Sequence, residues 1–240
     1  MNKTDRVLRK IVGKSKFLER IRFSIKNLII NRESLYLPYS RFKSPDFTVN
    51  KNSDITIEGF MRSGNTFAYY QFKDANKNLD IAHHRHSNTQ ITFSIRNKIP
   101  TLLLIRNPVD VIVSTYIFFD KKIPEKQIAK SWIQFYRPLI KLKEKIVISD
   151  FDNTINNFEN SIEKVNNFYQ TKFVVPKLEI NKTFQAIKDN QTVPDVKRLA
   201  HPNKETRNQK QKVKEALIKD TEIKPILKEC INIYETFLKI

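Results

Sequence analysis

The 240-residue chain has one cysteine, Cys230, and only three glycines. A lone cysteine excludes an internal disulfide and fits a reducing compartment. No stretch reaches the roughly 18 consecutive apolar residues of a membrane span. Residues 1–27 are basic but lack a continuous apolar core, so no signal peptide is expected and a cytoplasmic protein is. Acidic residues are scarce, 25 against 44 Lys and Arg, for a formal charge of +19. That excess favours polyanionic partners, although Lys, Asn and Ile are over-used throughout. Zinc-finger, helix-turn-helix and RNA-recognition signatures are missing, so nucleic acid is not expected. There is no internal repeat.

With glycine so rare, its placement carries information. Gly59 and Gly64 both fall in one turn, directly after the β-branched run Ile55-Thr56-Ile57 and before the apolar and aromatic stretch Phe67 to Phe72. That order predicts a strand, a phosphate-cradling loop and a helix N-terminus. Glycines let the backbone turn with positive φ, and the first amides of the following helix lack partners and sit at its positive end. Arg62 adds a guanidinium, Ser63 and Thr66 add hydroxyls, and Gly64, Asn65 and Phe67 complete the candidate anion loop. Asn65 stands where a nucleotide triphosphatase needs lysine, so the loop suits an anion other than a γ-phosphate.

Further along, a short strand at residues 79–83 leads into His83-His84-Arg85-His86, and a helix is expected to about Asn97. Thr101 to Ile105 is an apolar run suited to a strand buried on both faces. It ends in Arg106-Asn107-Pro108, with Pro108 placed for a first helical turn. Arg106 then lies at the carboxyl end of a strand, where open α/β sheets bind ligands, and Ser114 follows two helical turns on. Residues 124–143 predict an amphipathic helix, 146–149 a strand, and Asn153 or Thr154 a cap for a helix to Tyr169. Residues 185–212 are polar and proline-punctuated and predict a mobile loop, followed by closing helices. The repeated strand-helix order predicts a three-layer α/β domain over residues 51–240 with a mostly parallel sheet. Residues 1–50 form a basic, partly helical leader, with an irregular lead-in at Leu35-Tyr36-Leu37-Pro38-Tyr39. It has three open roles: packing on the domain, which the reading favours, peripheral contact with an anionic membrane, and oligomerisation.

Together these stretches resemble the sulfotransferases that use 3′-phosphoadenosine 5′-phosphosulfate. Gly59-Phe60-Met61-Arg62-Ser63-Gly64-Asn65-Thr66 is similar to their 5′-phosphosulfate loop, with Met61 where Pro is common and Asn65 where Thr is common. Arg106-Asn107-Pro108 through Ser114 and Tyr116 is similar to their 3′-phosphate segment, and Ile148-Ser149-Asp150-Phe151-Asp152 resembles a later strand-end motif. The resemblance spans roughly residues 54–240 and implies a P-loop-like fold, this co-substrate and no metal. It also implies an in-line transfer to a hydroxyl or amine of an unidentified acceptor, a glycan being one candidate. Arg62 would bridge the 5′-phosphate and sulfonate. A catalytic base is implied in the histidine cluster, His86 first and His84 next. A late basic loop would be His201-Pro202-Asn203-Lys204-Glu205-Thr206-Arg207, with Arg207 as the 3′-phosphate contact. Two rivals stay open: a nucleotide kinase, and a non-enzymatic polyanion or membrane-surface binder.

Overall fold

A computed structural model describes residues 15–189 and 204–239. Four parallel strands, β1 (Ile55–Gly59), β2 (Ile81–His83), β3 (Thr101–Ile105) and β4 (Val147–Asp150), form one sheet in the order β2-β1-β3-β4. In register, Ile57 pairs with His83, Gly59 with Leu104 and Ile105 with Asp150. All four carboxyl ends therefore lie along one edge, with the end of β1 between those of β2 and β3.

The strand period of two separates the sheet's faces. Leu103 and Ile105 point into one cluster with Phe60, Val111, Trp132, Tyr136, Ile233 and Phe237. Leu102 and Leu104 point into another with Ile55, Ile57, Ala68, Phe72, Phe158 and Ile162. The first layer is built by α5 (Pro108–Phe118), α6 (Glu125–Tyr136) and α11 (Lys224–Leu238), and the second by α3 (Asn65–Ala75) and α8 (Phe158–Tyr169). Both faces of the sheet are covered, and the expected three-layer α/β fold is the observed one. Each continuous apolar strand matches the pattern of a parallel sheet buried on both sides.

The leader is more regular than its sequence suggests. After α1 (Lys16–Ile30), residues 33–43 form a second helix, α2 (Glu33–Lys43), and not the irregular lead-in expected around Pro38. Tertiary contacts outweigh the proline. Buried Tyr36 donates its hydroxyl to Gln90 Oε1 at 2.6 Å, and Ser40 and Thr48 bond through their hydroxyls. The C-terminus of α1 is tied to the body because the Ile30 carbonyl accepts from the hydroxyls of Ser87 and Thr89. Asn27 bonds Ser131 across to α6.

α4 (Asn88–Arg96) follows the histidine segment. The helix expected over 124–143 gives way at Arg137 to 3-10 turns, and the one expected to Tyr169 is two helices, α7 (Phe151–Asn156) and α8. Asp150, rather than Asn153 or Thr154, caps the first, accepting from Asn153 N–H at 2.8 Å. The loop expected over 185–212 is partly helical. α9 (Ile180–Asp189) buries Phe184 and Ile187, whose spacing is helical, and α10 (Lys204–Lys219) buries Leu217. Residues 190–203, including His201, Pro202 and Asn203, lie outside the described residues, as do residues 1–14.

Candidate anion site and flanking histidines

Two backbone features shape the loop after β1. The carboxyl end of β1 approaches β3 so closely that a Cβ on Gly59 would meet the Leu104 carbonyl oxygen at 2.4 Å. Gly64 has φ +96° at the N-terminus of α3, a conformation L side chains rarely adopt. Between them, the N–H of Ser63 donates to the Phe60 carbonyl at 3.2 Å, and Asn65 Nδ2 donates to the same oxygen at 3.0 Å. Asn65 thus belts the loop from inside, and its Oδ1 is buried with no partner among the described residues. Tyr136 closes the base: its hydroxyl accepts from Phe60 N–H at 3.2 Å and donates to the Leu104 carbonyl at 2.8 Å.

These contacts decide which loop groups face an incoming anion. The Ser63 side chain is buried with its hydroxyl turned to Tyr136, 3.4 Å away, and Phe67 packs its ring on Phe184. Neither side chain faces the cleft, which corrects the expectation for the Ser63 hydroxyl and leaves Phe67 only its main-chain N–H. The N–H groups of Gly64, Asn65, Thr66 and Phe67 have no acceptor among the described residues, as expected for a helix start.

Arg62, Arg106 and Ser114 come together as the sequence suggested. Arg62 Nε donates to Ser114 Oγ at 3.1 Å, and Arg106 Nη1 donates to the Arg62 carbonyl at 3.1 Å. Asn107 caps α5 by accepting from Val109 N–H at 3.0 Å, and Pro108 takes the first helical position. The guanidiniums rest on aromatic faces, Arg106 at 3.7 Å from the Phe151 ring centre and Arg62 at 5.4 Å from that of Phe118. Burial, followed by repulsion from Arg106, pushes the Arg62 pKa down to about 10. Burial also lowers that of Arg106, against the pull of Asp110 and Asp152.

A third cation was not anticipated. Burial, then Arg62, then Arg106 push the Lys210 pKa down to about 8. Lys210 sits on α10, which is held to α5 by a Lys214 to Asp110 ion pair at 2.8 Å. Arg207, the residue the sequence favoured, lies one turn earlier and is exposed. In a lysine-rich helix nothing local distinguishes position 210. Three cations therefore lie near enough to repel one another, and of the two carboxylates that act on Arg106, Asp110 is already engaged by Lys214. Like charges gathered in a partly buried setting repel one another and cost stability, and such perturbed groups make this a candidate site.

On the other side of the loop, β2 delivers the histidines. His86 Nδ1 is 2.9 Å from the Gly59 carbonyl oxygen, which only accepts, so Nδ1 carries the proton and Nε2 keeps its lone pair. His84 is committed at both nitrogens, Nε2 to Thr66 Oγ1 at 3.0 Å and Nδ1 to His83 Nδ1. His83 is stacked on Tyr69 at 3.8 Å. Of the two candidate bases, His86 is the one with a nitrogen unengaged by described residues. Arg62, His84 and His86 are non-glycine residues at positive φ, 69°, 56° and 54°, and such strain concentrates at functional loops.

Glu58 is the second residue the sequence did not single out. Fully buried on β1, it accepts from Arg85 N–H at 2.9 Å, Gln90 Nε2 at 3.0 Å and Gly59 N–H at 3.2 Å. Its Oε1 is 3.7 Å from His86 Nδ1. Burial pushes its pKa up to about 7. As a lone acid in a strand it has no sequence signature. Burial pushes His83, His84 and His86 down to about 2, 4 and 3 respectively.

These shifts set a pH dependence. Between pH 4.5 and 6.5 the three imidazoles are neutral in the fold but take up protons on unfolding, so they lose stability as pH falls. Glu58 works the other way, because the fold keeps its proton up to about pH 7. Three groups against one leave a net uptake of about two protons, at most roughly 3 kcal/mol per pH unit. Urea unfolding from pH 7.5 to 4.5 is expected to show stability falling below pH 6.5. A flat or rising profile toward acid would contradict neutral buried histidines.

Among the described residues no group of three His, Cys, Asp or Glu side chains has metal-site geometry, and no helix is long and apolar enough to cross a membrane. Comparison with protein-family models, with curated proteins and with solved structures finds no match.

Proposed function

We propose that this chain is a sulfotransferase that moves a sulfonate from 3′-phosphoadenosine 5′-phosphosulfate to a hydroxyl or amine. The observation that carries the reading is that Arg106 donates to the Arg62 carbonyl and Arg62 to Ser114, beside a helix start with unpartnered amides and with Lys210 near enough to be repelled by both guanidiniums. Two anionic ends of one adenosine would use these groups separately. The amides of residues 64–67 and Arg62 would hold the 5′ end, and Arg106, Ser114 and Lys210 the 3′-phosphate. The resemblance of both sequence stretches to that family agrees with this division. A kinase would need a loop lysine for its γ-phosphate, and the side chain in that place, Asn65, is turned to the Phe60 carbonyl.

In the proposed step an acceptor hydroxyl oxygen attacks sulfur as the bond from sulfur to the 5′-phosphate oxygen breaks. The acceptor proton passes to His86 Nε2, and adenosine 3′,5′-bisphosphate leaves with Arg62 balancing charge on its oxygen. His86 is suited to this because its neutral tautomer is fixed by the Gly59 carbonyl. The donor's negative charge, once bound, raises the imidazole pKa toward neutrality.

The test is sulfonate transfer from the labelled donor to a panel of phenols, sugars and amines. His86→Asn is expected to lower turnover by about 10²- to 10⁴-fold with bisphosphate affinity unchanged. Equal turnover in both proteins removes His86 as base, and no transfer to any acceptor together with no donor hydrolysis counts against the activity. Lys210→Met is expected to weaken bisphosphate binding by about tenfold, or 1.4 kcal/mol, without lowering the melting temperature of the ligand-free protein. A lysine with a merely structural role would lower both.

A further inference from the structure

Helix α1 buries one face against the body and leaves a second, apolar face exposed. At about 100° per residue, Glu19, Phe23, Asn27 and Ile30 lie on one side, buried against the body. Phe17, Leu18, Ile21, Ile25 and Leu28 occupy an arc of about 100° on the opposite side, and all five are exposed, Phe17 to 69%. On α2, Leu35 and Phe42 are also exposed, Phe42 to 93%. Of the twelve exposed large hydrophobics among the described residues, eight fall between Phe17 and Phe47, in a small part of the chain. Contiguous exposed apolar surface of this kind marks an interaction site.

Charge identifies the occupant. Arg20 borders the arc on α1, and Arg41 and Lys43 flank Phe42 on α2. Glu19 and Glu33, the acids of α1 and α2, are engaged by Arg22 and Arg96. In sequence, residues 1–14 add Lys3, Arg6, Arg9, Lys10 and Lys14 against a single acid, Asp5. An apolar strip edged by cations is the pattern of an interfacial helix on anionic lipid. We infer that the outer face of α1, with Phe42 of α2, docks this protein on an anionic phospholipid surface. The body is anchored to the same helix through Ile30 and Asn27, so docking places the α/β domain against the membrane.

The test is cosedimentation of the full chain with vesicles, either phosphatidylcholine alone or with about a third phosphatidylglycerol. Binding is expected only to the anionic vesicles, and Phe17→Ser, Ile21→Ser and Leu28→Ser together are expected to weaken it by about tenfold or more. These side chains are exposed, so the triple variant is expected to keep its melting temperature and its bisphosphate binding. No sedimentation with anionic vesicles overturns the inference. So does sedimentation that the triple variant leaves unchanged, which would mean attraction by net charge alone. A wild-type dimer that ignores vesicles and becomes monomeric in the triple variant would also overturn it, assigning the face to a second copy. Bisphosphate binding is read separately, so this inference and the proposed activity fail independently.

Discussion

Replacing both Arg62 and Arg106 by alanine is expected to weaken binding of adenosine 3′,5′-bisphosphate by at least about a hundredfold, or 2.8 kcal/mol. Each guanidinium contributes hydrogen bonds to a charged group worth roughly 1.5–3 kcal/mol. The effects of the single variants are not expected to add. Arg106 donates to the Arg62 carbonyl, and Arg62 to Ser114, so losing either group also loosens the other's support. The ligand-free protein should respond in the opposite direction. Arg106 repels Arg62, and both repel Lys210, so removing one cation relieves crowding. A melting temperature unchanged or raised, together with lost binding, is the signature of residues placed for an anion. Lost stability with retained binding would make the cluster a structural one. Isothermal titration and a melting curve on each variant separate the two.

Gly59→Ala is expected to be among the most destabilising single substitutions in the chain. The new Cβ would sit 2.4 Å from the Leu104 carbonyl oxygen and 2.9 Å from the Leu104 Cβ. That carbonyl cannot retreat freely, because Tyr136 donates to it and holds the loop backbone through Phe60. Pushing β3 away breaks a buried network as well as the strand pairing, and His86 loses its register on the Gly59 carbonyl. Overpacking in a core costs about 1–3 kcal/mol and occasionally more, and a lost buried hydrogen bond adds about 1–3. A total near 4 kcal/mol would lower the melting temperature by roughly 8–16 °C in a protein of this size. A drop of under about 2 °C would show that the two strands can separate at no cost, contrary to the packing described.

The parts of this molecule legible in its sequence are those encoded locally. The strand from Ile55, the two loop glycines and the apolar run from Thr101 to Ile105 each carry their signal within a dozen residues. That the Arg62 loop and the Arg106–Ser114 segment meet was accessible only as a resemblance of two separated stretches. Three groups that complete the site were not legible. Glu58 reads as one acid in a strand until the fold wraps Arg85, Gln90 and His86 around it. Tyr136 and Lys210 reach the loop from helices roughly 75 and 150 residues away in sequence, a distance no local pattern records. Pro38 misled in the opposite direction. Its ring forbids one helical hydrogen bond, but the buried contacts of Tyr36 and Ser40 hold the turn helical regardless.

Whether β1 and β3 present their cations to the two ends of one nucleotide is tested most directly by calorimetric titration without magnesium. Adenosine 3′,5′-bisphosphate is expected to bind with one site per chain and at least about tenfold more tightly than adenosine 5′-monophosphate, the difference being the 3′-phosphate. Equal affinities for these two ligands, or binding of ATP that requires magnesium and excludes the bisphosphate, would contradict the account.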